Sequence, residues 1–268
     1  MLIAGAVCPH PPLLIPAALG SAAGDPPAEL RSVADAAVRA VSGLAGARPD
    51  LIVVVGGGAA EREYGADASG GLHAFGVDVM VGPGEPVLPL SLTVGRWLVE
   101  RAGILGYEEA TDPAADLPGE AVSLPDAVPA EAELGRDIPV VFQEVARNAA
   151  AGACLKLGRI LADRAPRVAL LAMGDACARP AREDPDVPDP AAQDYDAEIA
   201  EALAAADARW LARLDPALDN ELVVAGRAAW QVLAGAARGT RMQGRLLCLA
   251  APYGVTYLVA SWEQCRTD

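Results

Sequence analysis

Three apolar runs set the architecture that the chain predicts: Leu2–Val7, Leu51–Val55 and Val168–Met173. Each is short, continuous and rich in Val, Leu, Ile or Ala, the pattern of a strand buried on both faces. Between the first two, Pro26-Pro27 opens a helix running to about Gly46, with Leu30, Val33, Ala37, Val41 and Leu44 on one face. A strand, helix, strand order at this connection length gives a right-handed crossover and a parallel pair.

Downstream, the same reading predicts a strand at Val77–Val81, a helix over Leu90–Ala102 and a helix over Ala149–Ala162. Pro139–Val145 fits a strand or the start of a helix. Tyr195–Leu214 reads as one amphipathic helix, with Ile199, Leu203, Ala206, Trp210 and Leu214 inward. Two shorter helices follow at Leu218–Val224 and Ala228–Ala237, then strands at Leu246–Ala250 and Thr256–Trp262. Glu109–Asp137 is acidic and weakly periodic, a long loop or hairpin insertion, and Gly174–Pro190 is an irregular loop. The expected fold is therefore α/β, a single domain over residues 1–268 with a central, mostly parallel but mixed sheet and helices on both faces.

Composition narrows the function. The formal charge is −15, with 36 acidic residues against 21 basic ones, which argues against nucleic acid or an anionic membrane surface as partner. No apolar run reaches the roughly 18 residues of a membrane span. The N-terminal apolar stretch lacks a basic region before it and is cut by prolines, unlike a signal peptide. Five widely spaced cysteines with no CxxC pair suit a reducing compartment, so a cytoplasmic location is expected.

Candidate chemistry gathers at the strand ends. In Cys8-Pro9-His10-Pro11-Pro12 a histidine is bracketed by prolines, each fixing its own φ and restricting the residue before it. His10 fits a metal ligand or general base there, or a structural histidine bonding backbone groups. Gly56-Gly57-Gly58 matches no phosphate-loop pattern and reads as a tight turn. Asp175, just after Met173, suits a ligand or base as well as a loop anchor. Cys177 is a candidate nucleophile that needs His10 or His73 as its base, with a buried apolar role as the simpler reading. His73 sits in a glycine-rich loop. His10 and His73 are the only two histidines, so a three-histidine zinc site is excluded and a two-histidine, one-carboxylate iron site requires both. On the parallel-sheet reading, the loops Cys8–Pro12, Gly56–Ala60 and Gly174–Arg179 line one crevice.

Pro9-His10-Pro11-Pro12-Leu13-Leu14-Ile15-Pro16, Met173-Gly174-Asp175, the stretch from Asp194 to Asp215, Ala225–Ala236 and Ala251-Pro252-Tyr253-Gly254-Val255-Thr256-Tyr257 together carry a family signature. On these segments the chain resembles the class III extradiol ring-cleavage dioxygenases of subunit-B type, in an actinobacterial branch. The resemblance implies Fe(II)-dependent opening of a catechol-like ring with O₂, a small aromatic ligand and a homodimer. It makes His10 the first iron ligand, with His73 and Glu221 (or Asp175) as the residues left to complete the set. It also marks departures: Gly58-Ala59 stands where a second histidine is expected, Ala178 where an acid/base histidine is expected, and Ala225–Arg227 holds no carboxylate. The alternative is a metal-free, diverged member whose crevice binds a small molecule or a protein partner.

Overall fold

The computed structural model describes residues 1–19, 26–105, 138–178 and 190–265. The seven-stranded sheet has order β3-β7-β2-β8-β1-β10-β9. Its parallel centre is β7 (Val140–Ala146), β2 (Leu51–Gly58), β8 (Val168–Met173) and β1 (Leu2–Cys8), joined side by side in that order. Antiparallel strands close both sides: β3 (Arg62–Tyr64) on β7, and β10 (Tyr257–Gln264) and β9 (Met242–Ala250) beyond β1. A small second sheet, β4 (Ser69–Gly71), β5 (Met80–Val81) and β6 (Pro86–Leu88), lies in the glycine-rich stretch before α2. The fold is thus the α/β mixed sheet that the apolar runs predict.

Strand periodicity sorts the core into two layers. Ile52, Val54, Ala169, Leu171 and Met173 face α1 (Ala28–Gly46) and α2 (Leu90–Arg101). Val53, Val55, Val168, Leu170 and Ala172 face α3 (Ala151–Ala162), α4 (Pro190–Ala204) and α7 (Arg227–Ala236). The alternation follows from the two-residue repeat of a strand, so a continuous apolar run feeds both layers at once. Helices α3 and α7 touch backbone to backbone. A Cβ on Gly158 would stand 2.0 Å from the Val232 carbonyl, and one on Gly235 would stand 2.3 Å from that of Leu155.

Three expectations change. β2 does not stop at Val55 but runs through the triple glycine, because Gly56, Gly57 and Gly58 continue the parallel register opposite Glu144, Val145 and Ala146. The expected strand at Val77–Val81 keeps only Met80–Val81. The expected helix over Tyr195–Leu214 is broken into α4 and α5 (Ala208–Leu211). Ala206 there takes φ +51°, and the Asp207 carboxylate caps the new start by accepting the N–H groups of Arg209 and Trp210. Pro139–Val145 resolves as strand. Glu109–Asp137 and most of Gly174–Pro190 lie outside the described residues. Among the described residues, no helix is long and apolar enough to cross a membrane.

Candidate functional site

Because β1, β2, β7 and β8 are parallel, their C-terminal ends open on one edge, and four connections meet there. The Gly174 N–H donates to the Cys8 carbonyl (2.9 Å), tying the β8 exit to the β1 exit. The Arg147 N–H donates to the Gly58 carbonyl (3.2 Å), tying the β7 exit to that of β2. α6 (Pro216–Leu222) and the turn before α7 close the edge: the Ala225 and Gly226 N–H groups both donate to the Asp175 carbonyl, at 3.1 and 2.9 Å. Gly174 and Gly226 pass so closely that a Cβ on Gly174 would stand 2.1 Å from the Gly226 Cα. Only glycine at this position lets the β8 exit and the α7 turn share the space.

His10 and Asp175 come together in this crevice. The Asp175 Oδ1 accepts the His10 backbone N–H at 2.7 Å and lies 3.4 Å from the His10 Nδ1. The Nδ1 is fully enclosed, with no aligned hydrogen bond among the described residues, and the histidine as a whole is 6% exposed. The prolines hold the main chain here, and the carboxylate holds the histidine by that main chain. Asp175 thus combines the loop-anchor and the histidine-facing roles. Tyr257, at the start of β10, is buried beside them. Burial raises its phenol first, and the negative charge of Asp175 and the Tyr253 hydroxyl add to that, so the hydroxyl stays a proton donor.

Cys177 is buried, and its thiol is pushed well above the ordinary range, first by burial and then by the Asp196 and Asp219 carboxylates. A thiol so enclosed lacks the thiolate that nucleophilic attack needs. Its carbonyl accepts the Thr256 N–H (3.0 Å), while Ala176 donates to the Thr256 carbonyl (3.0 Å). These residues serve to stitch the loop to β10.

His73 and Glu221 are both exposed, unlike His10. His73 lies in the short turn after β4, with its Nε2 2.9 Å from the exposed Asp78. Among the described residues, no hydrogen bond or ion pair joins it to His10 or Asp175. Glu221 is on the exposed side of α6, and the inward carboxylate of that helix is Asp219. Asp219 is occupied: it accepts the Tyr195 hydroxyl (3.1 Å) and faces the Arg227 Nε at 3.1 Å. Burial is the main influence on it and raises its carboxyl to about 6, against the lowering effects of Tyr195 and Arg227. At the end of β2, Glu144 is likewise consumed. Its carboxylate accepts the N–H groups of Ala59 (2.6 Å) and Ala60 (3.0 Å) and the Tyr64 hydroxyl (2.7 Å). Among the described residues, no three His, Cys, Asp or Glu side chains form a group fit to hold a metal.

The sequence reading missed Arg227, Gln231 and Arg147. Arg227 is 3% exposed and donates to the carbonyls of Arg147 (2.5 Å) and Ala149 (2.9 Å) and to the Gln231 Oε1 (2.9 Å). A charged residue opening an otherwise apolar helix is the one sequence signal that points to it. The network holds α7 against the β7 exit and leaves the Arg147 side chain exposed over Gly57.

No protein-family model matches the chain, and no curated protein matches it. Among solved structures, the crystal structure of the uncharacterized protein JW3007 from Escherichia coli K12 is similar. The two share 16% identity at a TM-score of 0.48, over 97% of this chain and 99% of that one.

Proposed function

We propose that this chain is a diverged relative of the class III extradiol dioxygenases whose strand-end crevice binds a small aromatic molecule without a resident iron. His10 is the residue that meets the ligand, and Asp175 is its positioning residue. The supporting observation is the His10–Asp175 pair, one carboxylate oxygen that holds the backbone of a buried histidine and lies 3.4 Å from its ring Nδ1. A carboxylate beside Nδ1 favours the tautomer protonated there, which leaves Nε2 as the acceptor. The arrangement suits taking a proton from a ligand hydroxyl, with the Tyr257 hydroxyl as a nearby donor. Two groups outside the pair support this reading by being engaged elsewhere: His73 with Asp78, and Asp219, the inward carboxylate of α6, with Arg227.

Two measurements test it. Protein purified anaerobically with added Fe(II) is expected to retain less than about a tenth of an equivalent. A full equivalent, lost in His73→Ala, overturns the iron-free reading in favour of ring cleavage. Titration with catechol is expected to shift the His10 ring resonances and leave those of His73 in place. Equal movement of both, or of neither, overturns the crevice as the binding site.

A further inference from the structure

We infer that a cavity between α1 and the β10–β9 side of the sheet, separate from the strand-end crevice, seats the carboxylate or phosphate group of a small organic ligand between Arg39 and Arg245. The cavity measures about 260 Å³. Small residues wall it: Ala40 and Gly43 on the helix side, Ala4 and Gly5 on the sheet side. A Cβ on Gly43 would meet nothing within 4 Å, so the space beside the helix is open. Ala4 stands four residues before Cys8, which sets the cavity about 13 Å back along β1 from its exit. A second recess of about 600 Å³ shares Gly43 and Glu263 with it and gives room for the rest of a ligand.

Strand register brings the polar groups to one face. Ala6 on β1 lies opposite Ser261 on β10, and Ser261 lies opposite Arg245 on β9. Directly opposed residues share a face of the sheet, and Ala6 belongs to the α1 side of the core, so Ser261 and Arg245 face α1 as well. Arg39 leans towards them from the helix. Burial raises the Cys248 thiol on β9, and the Arg39 charge lowers it in return, which sets that guanidinium over β9.

Both arginines stand at the rim of the cavity, and neither forms a hydrogen bond or ion pair among the described residues, although acids outnumber bases 36 to 21. By contrast Arg96 pairs with Glu100, Arg164 with Glu63 and Arg227 with Asp219. Arg167, in the second recess, donates to the carbonyls of Ala47 (2.6 Å) and Arg48 (3.0 Å). Two like charges turned to one cavity repel each other unless something negative lies between them. The one carboxylate of the lining, Glu263, lies opposite Gln243, two residues beyond Ser261 on β10, and forms no ion pair among the described residues. It bounds the seat at one end and leaves the lining with a surplus positive charge. Two guanidinium groups and a hydroxyl around an open space are the donor set that grips carboxylate or phosphate oxygens.

The test is an NMR titration of the intact protein with inorganic phosphate and, separately, with acetate. Saturable shifts are expected at the Nε–H signals of Arg39 and Arg245 and at the Ser261 amide, while Arg213, exposed before α6, stays in place. Phosphate acting at the lower concentration identifies a phosphoryl group, and acetate a carboxylate. Arg39→Gln and Arg245→Gln should each weaken binding about tenfold, and Arg213→Gln should leave it unchanged. Gly43→Leu keeps both arginines, raises helix propensity and fills the open space, so it should abolish binding without lowering the melting temperature. Binding at full affinity in Gly43→Leu, or in either of the two cavity-arginine variants, overturns the inference, as do shifts that fail to saturate. Anions that move the His10 ring signals and leave Arg39 and Arg245 in place overturn it too, and assign the anion to the crevice.

Discussion

Both histidines of this chain face an aspartate, and the two pairs rank in opposite orders by distance and by setting. His73 and Asp78 meet at 2.9 Å on the small sheet, with side chains 54% and 98% exposed. His10 and Asp175 are farther apart at 3.4 Å, yet their side chains are only 8% and 16% exposed. Water competes freely for the first pair, so it contributes at most a few tenths of a kcal/mol. In the second pair the same carboxylate also accepts a main-chain N–H and sits where four strand exits converge. Enclosure and shared partners, more than contact distance, separate a candidate site from a surface contact.

Substitutions sharpen this contrast. The largest effect belongs to Gly174→Ala, which drives a Cβ into the Gly226 backbone, where nothing flexible can yield. A loss of at least about 3 kcal/mol in denaturant unfolding is expected. A loss below about 1 kcal/mol would mean that the crevice walls are free to part.

Asp219→Asn comes next and is read against pH. The folded carboxyl is raised to about 6 from an ordinary 3.8, so its contribution is full below pH 3.8 and is lost as pH rises through 6. Relative to the parent, Asp219→Asn should therefore gain stability between pH 4 and 7, by up to about 3 kcal/mol. A difference that runs the other way would show that attraction to Arg227 outweighs burial.

Asp175→Asn should cost about 1.5–3 kcal/mol, the range for a hydrogen bond to a charged group. Asp78→Asn, the matching change on the exposed pair, should stay within about 0.5 kcal/mol. Equal losses would erase the distinction drawn between the two pairs. Smallest of all, His73→Ala should leave the melting temperature within about 2 °C of the parent.

Much of the scaffold was legible in the chain because fully apolar strands and a proline-started helix are local signals. The crevice followed from topology, since parallel strands with right-handed crossovers put their exits on one edge. Other features depend on contacts distant in sequence. Running β2 through Gly56–Gly58 required knowing that Glu144 on β7 would cap Ala59 and Ala60. The break after α4 depends on a positive φ at Ala206, beside which Gly244 of β9 packs, and no periodicity carries that. On α6 the sequence offers Glu221, while the buried carboxylate is Asp219, part of a helical turn earlier, and its pairing with Arg227 on the next helix is a contact no local pattern carries.

The glycine contacts between α3 and α7 have a kinetic consequence. With Gly158 against the Val232 carbonyl and Gly235 against the Leu155 carbonyl, neither helix can slide or roll without backbone collision. The start of α7 is therefore anchored like the fixed jaw of a clamp. A ligand entering the crevice beside it meets a wall already in its final shape, so association should be single-step and governed by encounter.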